Sequence, residues 1–305
     1  MLVDGHAHVI HQDWYGEPWW QGVSRLGASI LGVPAEAIRE NVLPAYFDED
    51  GSAQLGAMDE GGVDLAAVLA QDWTTEEHLG RAPVGWREQN EWHADFAAKD
   101  PGRVRWAFGV DPRQEGAVAA FEEGVRDRGA MALKLHPSNG FALNDRVVYP
   151  IIERCGELDV PVVAHVGPEV TPLYSKWSEP ILLDDLTADF PEVKFQAAHT
   201  GNAAWRQALA VASVKPNVYC DLSGWQTRFL RNPQRFYEDV REVVDTVGAS
   251  RVMWGTDAPY YRALLPDGDW AKAFSEAPEG TFTADEVEAI LGGTAIEFYG
   301  LTSSG

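Results

Sequence analysis

Eight short apolar runs rich in β-branched residues recur along the chain. They are Leu2–Val9, Val63–Ala70, Val104–Val110, Ala130–His136, Val160–Val166, Val193–His199, Asn217–Leu222 and Arg251–Asp257. Between them lie stretches of helical character, among them Trp86–Lys99, Gly116–Arg128, Val147–Leu158 and Pro233–Val247. Strands that alternate with helices imply βαβ units and a parallel sheet. Eight such units predict a closed (β/α)8 barrel of the TIM type rather than an open, doubly wound sheet. No Gly-x-Gly-x-x-Gly follows the first run, which also counts against a dinucleotide fold. The 305 residues suit one barrel domain spanning 1–305.

Near the C-terminus, Thr283-Ala-Asp-Glu286 reads as a capping box that opens a helix over Thr283–Leu291. Gly292-Gly293 is expected to end it, and a last helix runs to Tyr299.

Charge and cysteine content narrow the partners. A formal net charge of −23 repels phosphate backbones and anionic lipid, so neither nucleic acid nor membrane is expected. No apolar run is long enough for a membrane span. The start, MLVDGHAH, is too short and too polar for a secretory leader. Two cysteines, Cys155 and Cys220, make no disulfide framework, and a reducing cytoplasm is expected. The expected partner is a small-molecule substrate; association into a homo-oligomer is left open.

One stretch breaks the rhythm. About 40 residues, 11–50, separate the first run from its helix over Gln54–Glu60. A connection that long is functional or disordered. This one holds Trp14, Tyr15, Trp19, Trp20, Tyr46 and Phe47, too aromatic for disorder. It leaves the C-terminal end of a strand, where barrel active sites lie, so it is expected to cover the mouth.

The polar residues that close the apolar runs carry the chemistry. Alternate residues of a strand face one side, so His6 and His8 of Asp4-Gly-His-Ala-His8 point together. Two neutral imidazoles so placed are a natural pair of metal ligands. His136, His165 and His199 end the fourth, fifth and sixth runs, and Asp257 ends the eighth. In a parallel barrel these ends converge. Structural histidines would scatter over helices and loops, as His78 and His93 do. By alternation Ala130, Ala132, Lys134 and His136 look inward, with Met131, Leu133 and Leu135 outward. His199 shares a face with Phe195 and Ala197, and Asp257 with Met253 and Gly255.

These motifs resemble the amidohydrolase superfamily, and within it the amidohydrolase-related branch. The resemblance rests on Asp-Gly-His-Ala-His, Ala-Leu-Lys-Leu-His-Pro (132–137), Val-Ala-His-Val-Gly (163–167), Ala-Ala-His-Thr-Gly (197–201) and Trp-Gly-Thr-Asp-Ala-Pro (254–259). It implies one divalent ion, zinc before manganese, held by His6, His8, His165 and Asp257. It also implies that Asp257 handles the proton of the water on the ion, and that His199 is an acid–base or charge-stabilising group nearby. Lys134 falls where two-metal members carry a bridging lysine; in this usually single-metal branch it is expected, with His136, on the substrate side.

A zinc-type ion lowers the pKa of its water to about 7, which suits hydrolysis. The expected reaction is cleavage of an amide, ester or lactone. The alternative is non-oxidative decarboxylation of an aromatic or unsaturated acid, which calls for an arginine at the leaving carboxylate; Arg113, Arg206 and Arg228 follow strands. Trp73, Trp177, Trp225, Tyr260 and Tyr261 also follow strands. They suggest a flat, mostly apolar pocket for a cyclic or aromatic substrate.

Overall fold

The computed structural model describes residues 1–75, 79–80 and 82–301, so His78 lies outside the described residues. Eight parallel strands pair in chain order: β1 (Val3–Ala7), β2 (Leu65–Leu69), β3 (Val104–Gly109), β4 (Leu133–Leu135), β5 (Val162–His165), β6 (Phe195–Ala198), β7 (Val218–Asp221) and β8 (Val252–Met253). The helices are α1 (Glu17–Leu31), α2 (Ala35–Asn41), α3 (Ser52–Gly61), α4 (Trp86–Lys99), α5 (Ala117–Arg128), α6 (Tyr149–Leu158), α7 (Leu183–Asp189), α8 (Trp205–Val214), α9 (Gln226–Arg231), α10 (Pro233–Val247), α11 (Asp267–Ser275), α12 (Ala284–Glu288) and α13 (Thr294–Tyr299). The expected barrel is observed.

The two sides of the strands pack into two separate cores. Val3, Ala67, Leu69, Ala107, Ala132, Val163, Ala198 and Met253 fill the interior. Val68, Leu133, Leu135, Ala164, Phe195 and Cys220 belong to the larger layer under the helices. Small and medium side chains inside, with larger ones outside, let eight strands close without leaving a pore. Ala130, expected inside, packs in the outer layer because β4 begins only at Leu133. Cys155 and Cys220 are free and buried. No helix among the described residues is long and apolar enough to cross a membrane.

Closure between β8 and β1 uses few but well-placed bonds. Gly5 N–H donates to Trp254 O at 3.0 Å, Asp257 N–H to His6 O at 2.7 Å, and His8 N–H to Ala258 O at 2.9 Å. Asp4 pins the same seam. Its carboxyl accepts from Thr256 Oγ1 at 2.5 Å and from the N–H groups of His6 and Thr256. Burial pushes this carboxyl up to about 7.

The C-terminal helix differs from expectation. The capping box at Thr283 and Glu286 is present, but Gly292 and Gly293 do not end the helix. A π-helical turn over Ala289–Gly293 carries the chain straight into α13. The glycine serves close approach instead: a Cβ on Gly292 would stand 2.4 Å from Met1 O.

The long insertion is structured, with α1 and α2 joined by short turns. Trp14, Tyr15, Trp19, Trp20, Ile38 and Leu43 form its own buried cluster together with Trp73 and Leu173 from the barrel loops. Gly22 makes the contact with the loop after β5 possible, since a Cβ there would fall 1.5 Å from Thr171 O. His93, on α4, is buried beside Trp14, and its Nδ1–H donates to Gln89 O at 2.8 Å, the structural role expected of it.

Candidate active site

The seam between β1 and β8 brings His6, His8 and Asp257 together at the C-terminal end of the barrel. Val3 faces the interior core, so strict alternation would turn His6 and His8 outward. A shift of register between Asp4 and Ala7 resets the parity and points both imidazoles inward.

Their hydrogen bonds fix which nitrogen carries the proton. His8 Nδ1 lies 2.7 Å from Leu69 O, a pure acceptor, so Nδ1 must carry the hydrogen. His6 Nδ1 lies 2.6 Å from the buried Asp221 carboxylate and donates likewise. The two Nε2 lone pairs then face each other 3.1 Å apart. Asp257 Oδ1 lies 3.6 Å from the first and 3.4 Å from the second. Burial lowers both histidine pKa values, so the rings stay neutral. Two lone pairs and a carboxylate converging in a buried space repel one another unless a cation sits among them. Nitrogens bound at about 2.0–2.1 Å to one ion lie about 3 Å apart, so this donor set fits a divalent metal. Burial alone would raise the Asp257 carboxyl; attraction led by His199 outweighs it and holds it below the usual carboxylate range.

His199 reaches the site by a route that alternation does not give. Phe195 and Ala197, on its side of β6, pack outward under the helices. The chain turns at His199 with φ 57°, followed by Thr200 at 44°, and this left-handed backbone swings the ring inward. Asp257 has φ 52° as well. Such conformations cost on the order of 1–3 kcal/mol each and cluster at active sites. The His199 ring lies 4.8 Å from His6 and 5.0 Å from His165. Ser223 Oγ sits 2.8 Å from its Nδ1 and 3.2 Å from His6 Nδ1, and so ties the two rings together.

A second polar group borders the first. His136 and His165 stack with centroids 4.1 Å apart. Glu169 Oε1 faces both, 3.3 Å from His136 Nε2 and 2.9 Å from His165 Nε2. His165 thus stands with His136 and Glu169, while His199 stands with His6 and Asp257. Lys134 is fully buried, and its Nζ has no hydrogen-bond partner among the described residues. Burial pulls its pKa down to about 8, against the pull of Asp257, Asp221 and Glu169.

The aromatic candidates divide. Tyr260 lies 6.2 Å from His8 and 6.1 Å from Trp19 of the insertion. Trp73 packs 4.3 Å from His136. Trp225 does not face the mouth: it is buried against Trp205 and Phe236, and its indole N–H donates to His199 O at 2.7 Å. Trp177 is partly buried under the Lys176 ammonium, 4.6 Å away, and makes no ring contact with a histidine among the described residues.

Sequence reading missed Asp221, Ser223 and Glu169. Asp221 was within reach, as an acid that closes the seventh apolar run. Glu169 lies in an irregular loop whose sequence carries no periodic signal.

A barrel with neutral imidazoles and a carboxylate gathered at its C-terminal mouth defines an enzyme of the amidohydrolase type. The amidohydrolase family model matches residues 3–301, and the chain belongs to that family. A curated L-fucono-1,5-lactonase of Burkholderia ambifaria is 30% identical over 249 residues, covering 79% of this chain and 85% of the relative. Two solved barrels match in fold at 18% identity. One is a Burkholderia multivorans amidohydrolase with bound zinc, TM-score 0.70, covering 99% of this chain and all of the other. The other is a 5-carboxyvanillate decarboxylase from Sphingomonas paucimobilis, TM-score 0.69, covering 99% of both chains.

Proposed function

We propose that this enzyme hydrolyses a small cyclic ester, with a lactone as the leading substrate class and other esters or amides next. The observation that carries the reading is the pair of Nε2 lone pairs facing Asp257 across the barrel seam. The lactonase relative supports a lactone over an amide. His6, His8 and Asp257 are the residues that would hold a divalent ion, and the bound zinc of the Burkholderia multivorans barrel makes zinc the first choice. When bound, the ion would supply Lewis acidity and a more acidic water.

The chain's own groups perform the rest. Asp257, kept ionised beside His199, accepts the proton of the attacking water and returns it to the leaving oxygen. His199 stands beside it as a donor to the charge that develops on the acyl oxygen. Lys134, His136 and His165, the polar group bordering the seam cluster, hold the substrate. Trp225 acts on His199 through its backbone carbonyl. Tyr260 and Trp73 form the apolar wall, and Trp177 is assigned to the substrate side.

The arginines weigh against decarboxylation. Arg113 is engaged by Asp111 and the carbonyls of Asn139 and Gly140. Arg228 pairs with Asp239, and Arg206 with Glu242. Among the described residues, no hydrogen bond or ion pair joins Arg206 or Arg228 to a histidine of the mouth. The deciding experiment is turnover in labelled water. Hydrolysis places solvent ¹⁸O in the carboxylate product. Carbon dioxide release with solvent deuterium on carbon, and no ¹⁸O incorporated, would overturn the reading.

The insertion is the proposed cover of the mouth. Trp19 touches Tyr260 and Trp73, whereas Trp14 packs on His11, Trp92 and His93. Trp19→Phe is therefore expected to raise KM severalfold with little change in melting temperature, while Trp14→Phe affects melting temperature first. Steady-state kinetics beside thermal melting checks this; unchanged kinetics in Trp19→Phe would make that residue purely structural.

A further inference from the structure

Just beyond the end of β2 stands a buried amide whose orientation is fixed from behind. Gln71 is only 7% exposed. Its Oε1 accepts from Tyr15 Oη at 2.8 Å and from Trp73 Nε1 at 3.2 Å. An indole N–H can only donate, so the arm facing Trp73 must be the oxygen and the other arm must be the NH2. Tyr15 is itself buried. Tyr15 of the insertion and Trp73 thus clamp the amide through its oxygen. Nε2 has no hydrogen-bond partner among the described residues, and it is not among the sealed polar atoms.

The place of the residue says where that free donor is useful. Ala67 and Leu69 face the barrel interior, and Gln71 continues their parity to the mouth. His8 bonds the carbonyl of Leu69, two residues earlier, and Trp73, two residues later, packs on His136. Gln71 therefore sits between the seam histidines and the His136 side, at the level of the reacting groups.

We infer that Gln71 is a catalytic residue that donates from Nε2 to the acyl oxygen of the substrate. This rests on the hydrolytic reading above. A neutral donor held in advance, in a space from which water is largely excluded, stabilises charge at that oxygen without reorganising during attack. The insertion then has a second task besides covering the mouth, because its Tyr15 fixes the direction of the donor.

The test uses two variants of the full chain. Gln71→Glu keeps an oxygen for Tyr15 and Trp73 but replaces the donor with an acceptor. Gln71→Leu removes both functions. Each is assayed on whichever lactone the wild type hydrolyses, with thermal melting and metal content alongside. Loss of an oxyanion donor costs on the order of 10²–10³-fold in kcat. Both variants are expected to lose kcat on that scale, and Gln71→Glu is expected to keep its melting temperature and metal content. Wild-type kcat in Gln71→Glu, or a loss that follows its melting temperature down, would overturn the inference, since the amide would then serve only to anchor the insertion.

Failure of the hydrolytic reading is seen separately, as a wild type that cleaves nothing in a lactone, ester and amide panel. Calorimetric titration with a six-membered cyclic phosphonate, whose anionic oxygen stands in for the tetrahedral state, then decides the inference without turnover. Binding at least tenfold weaker in both variants supports it, and equal affinity overturns it.

Discussion

Asp257→Asn is expected to keep the fold and most of the bound metal, and to lose about 10²–10⁴-fold in kcat, the range for removal of a positioned general base. The amide matches the carboxylate in size and retains one oxygen toward His6 and His8, whose Nε2 atoms lie 3.6 and 3.4 Å from Asp257 Oδ1. It cannot take a proton from water. The backbone at φ 52° is one that asparagine adopts more readily than most residues, so the substitution adds no strain. The loss should therefore fall on kcat, with KM nearly unchanged. Steady-state kinetics and metal analysis on one preparation check this. A fully active Asp257→Asn enzyme would remove the eighth strand from the chemistry.

His6→Ala is expected to abolish metal binding, from about one ion per chain to near none by elemental analysis. It removes one of two facing lone pairs and also strands a partner. Asp221 is fully buried, and its Oδ2 lies 2.6 Å from His6 Nδ1. Deleting the donor of a buried hydrogen bond to a charged group costs about 1.5–3 kcal/mol. Gln196 Nε2 at 2.8 Å and Ser223 N–H at 2.7 Å still satisfy part of the carboxylate, which keeps the loss toward the lower end. Melting temperature should therefore fall along with metal content. His165→Ala is the informative companion. Its Nε2 lies 2.9 Å from Glu169 and groups with His136 and Glu169, apart from the cluster of His6, His199 and Asp257, so most of the metal should remain. Full occupancy in His6→Ala would sink the seam as the metal site, and an empty site in His165→Ala would restore that histidine to the ligand set.

The barrel was legible because its signal is periodic and repeated. Apolar runs and helical patterns recur through the chain, and the polar residues near the ends of the first, fourth, fifth, sixth and eighth runs mark the mouth. What sequence could not supply was any departure from strict alternation. The register shift within β1 and the left-handed turn at His199 each change which way a side chain points, and neither is a property of composition. Gly292-Gly293 misled for a related reason: glycine suits both a helix stop and a close backbone approach, and here the N-terminus required the second. Glu169 gave no signal, because loop geometry joins it to His136 and His165.

The barrel closes where the site is built, and this has a consequence for how the chain acquires activity. His6 and His8 leave the ribosome before every other residue of the site, while Asp257 and the Trp254 backbone that meets Gly5 emerge more than two hundred residues later. Trp254 N–H in turn donates to Ile290 O, in the turn that leads into α13. Contacts of such long sequence separation form late, because chain entropy must be overcome before they return any stabilisation. A nascent or C-terminally shortened chain can thus hold several βα units and still lack any site. Catalytic competence arrives only with the last strand and serves as a readout that the ring has shut.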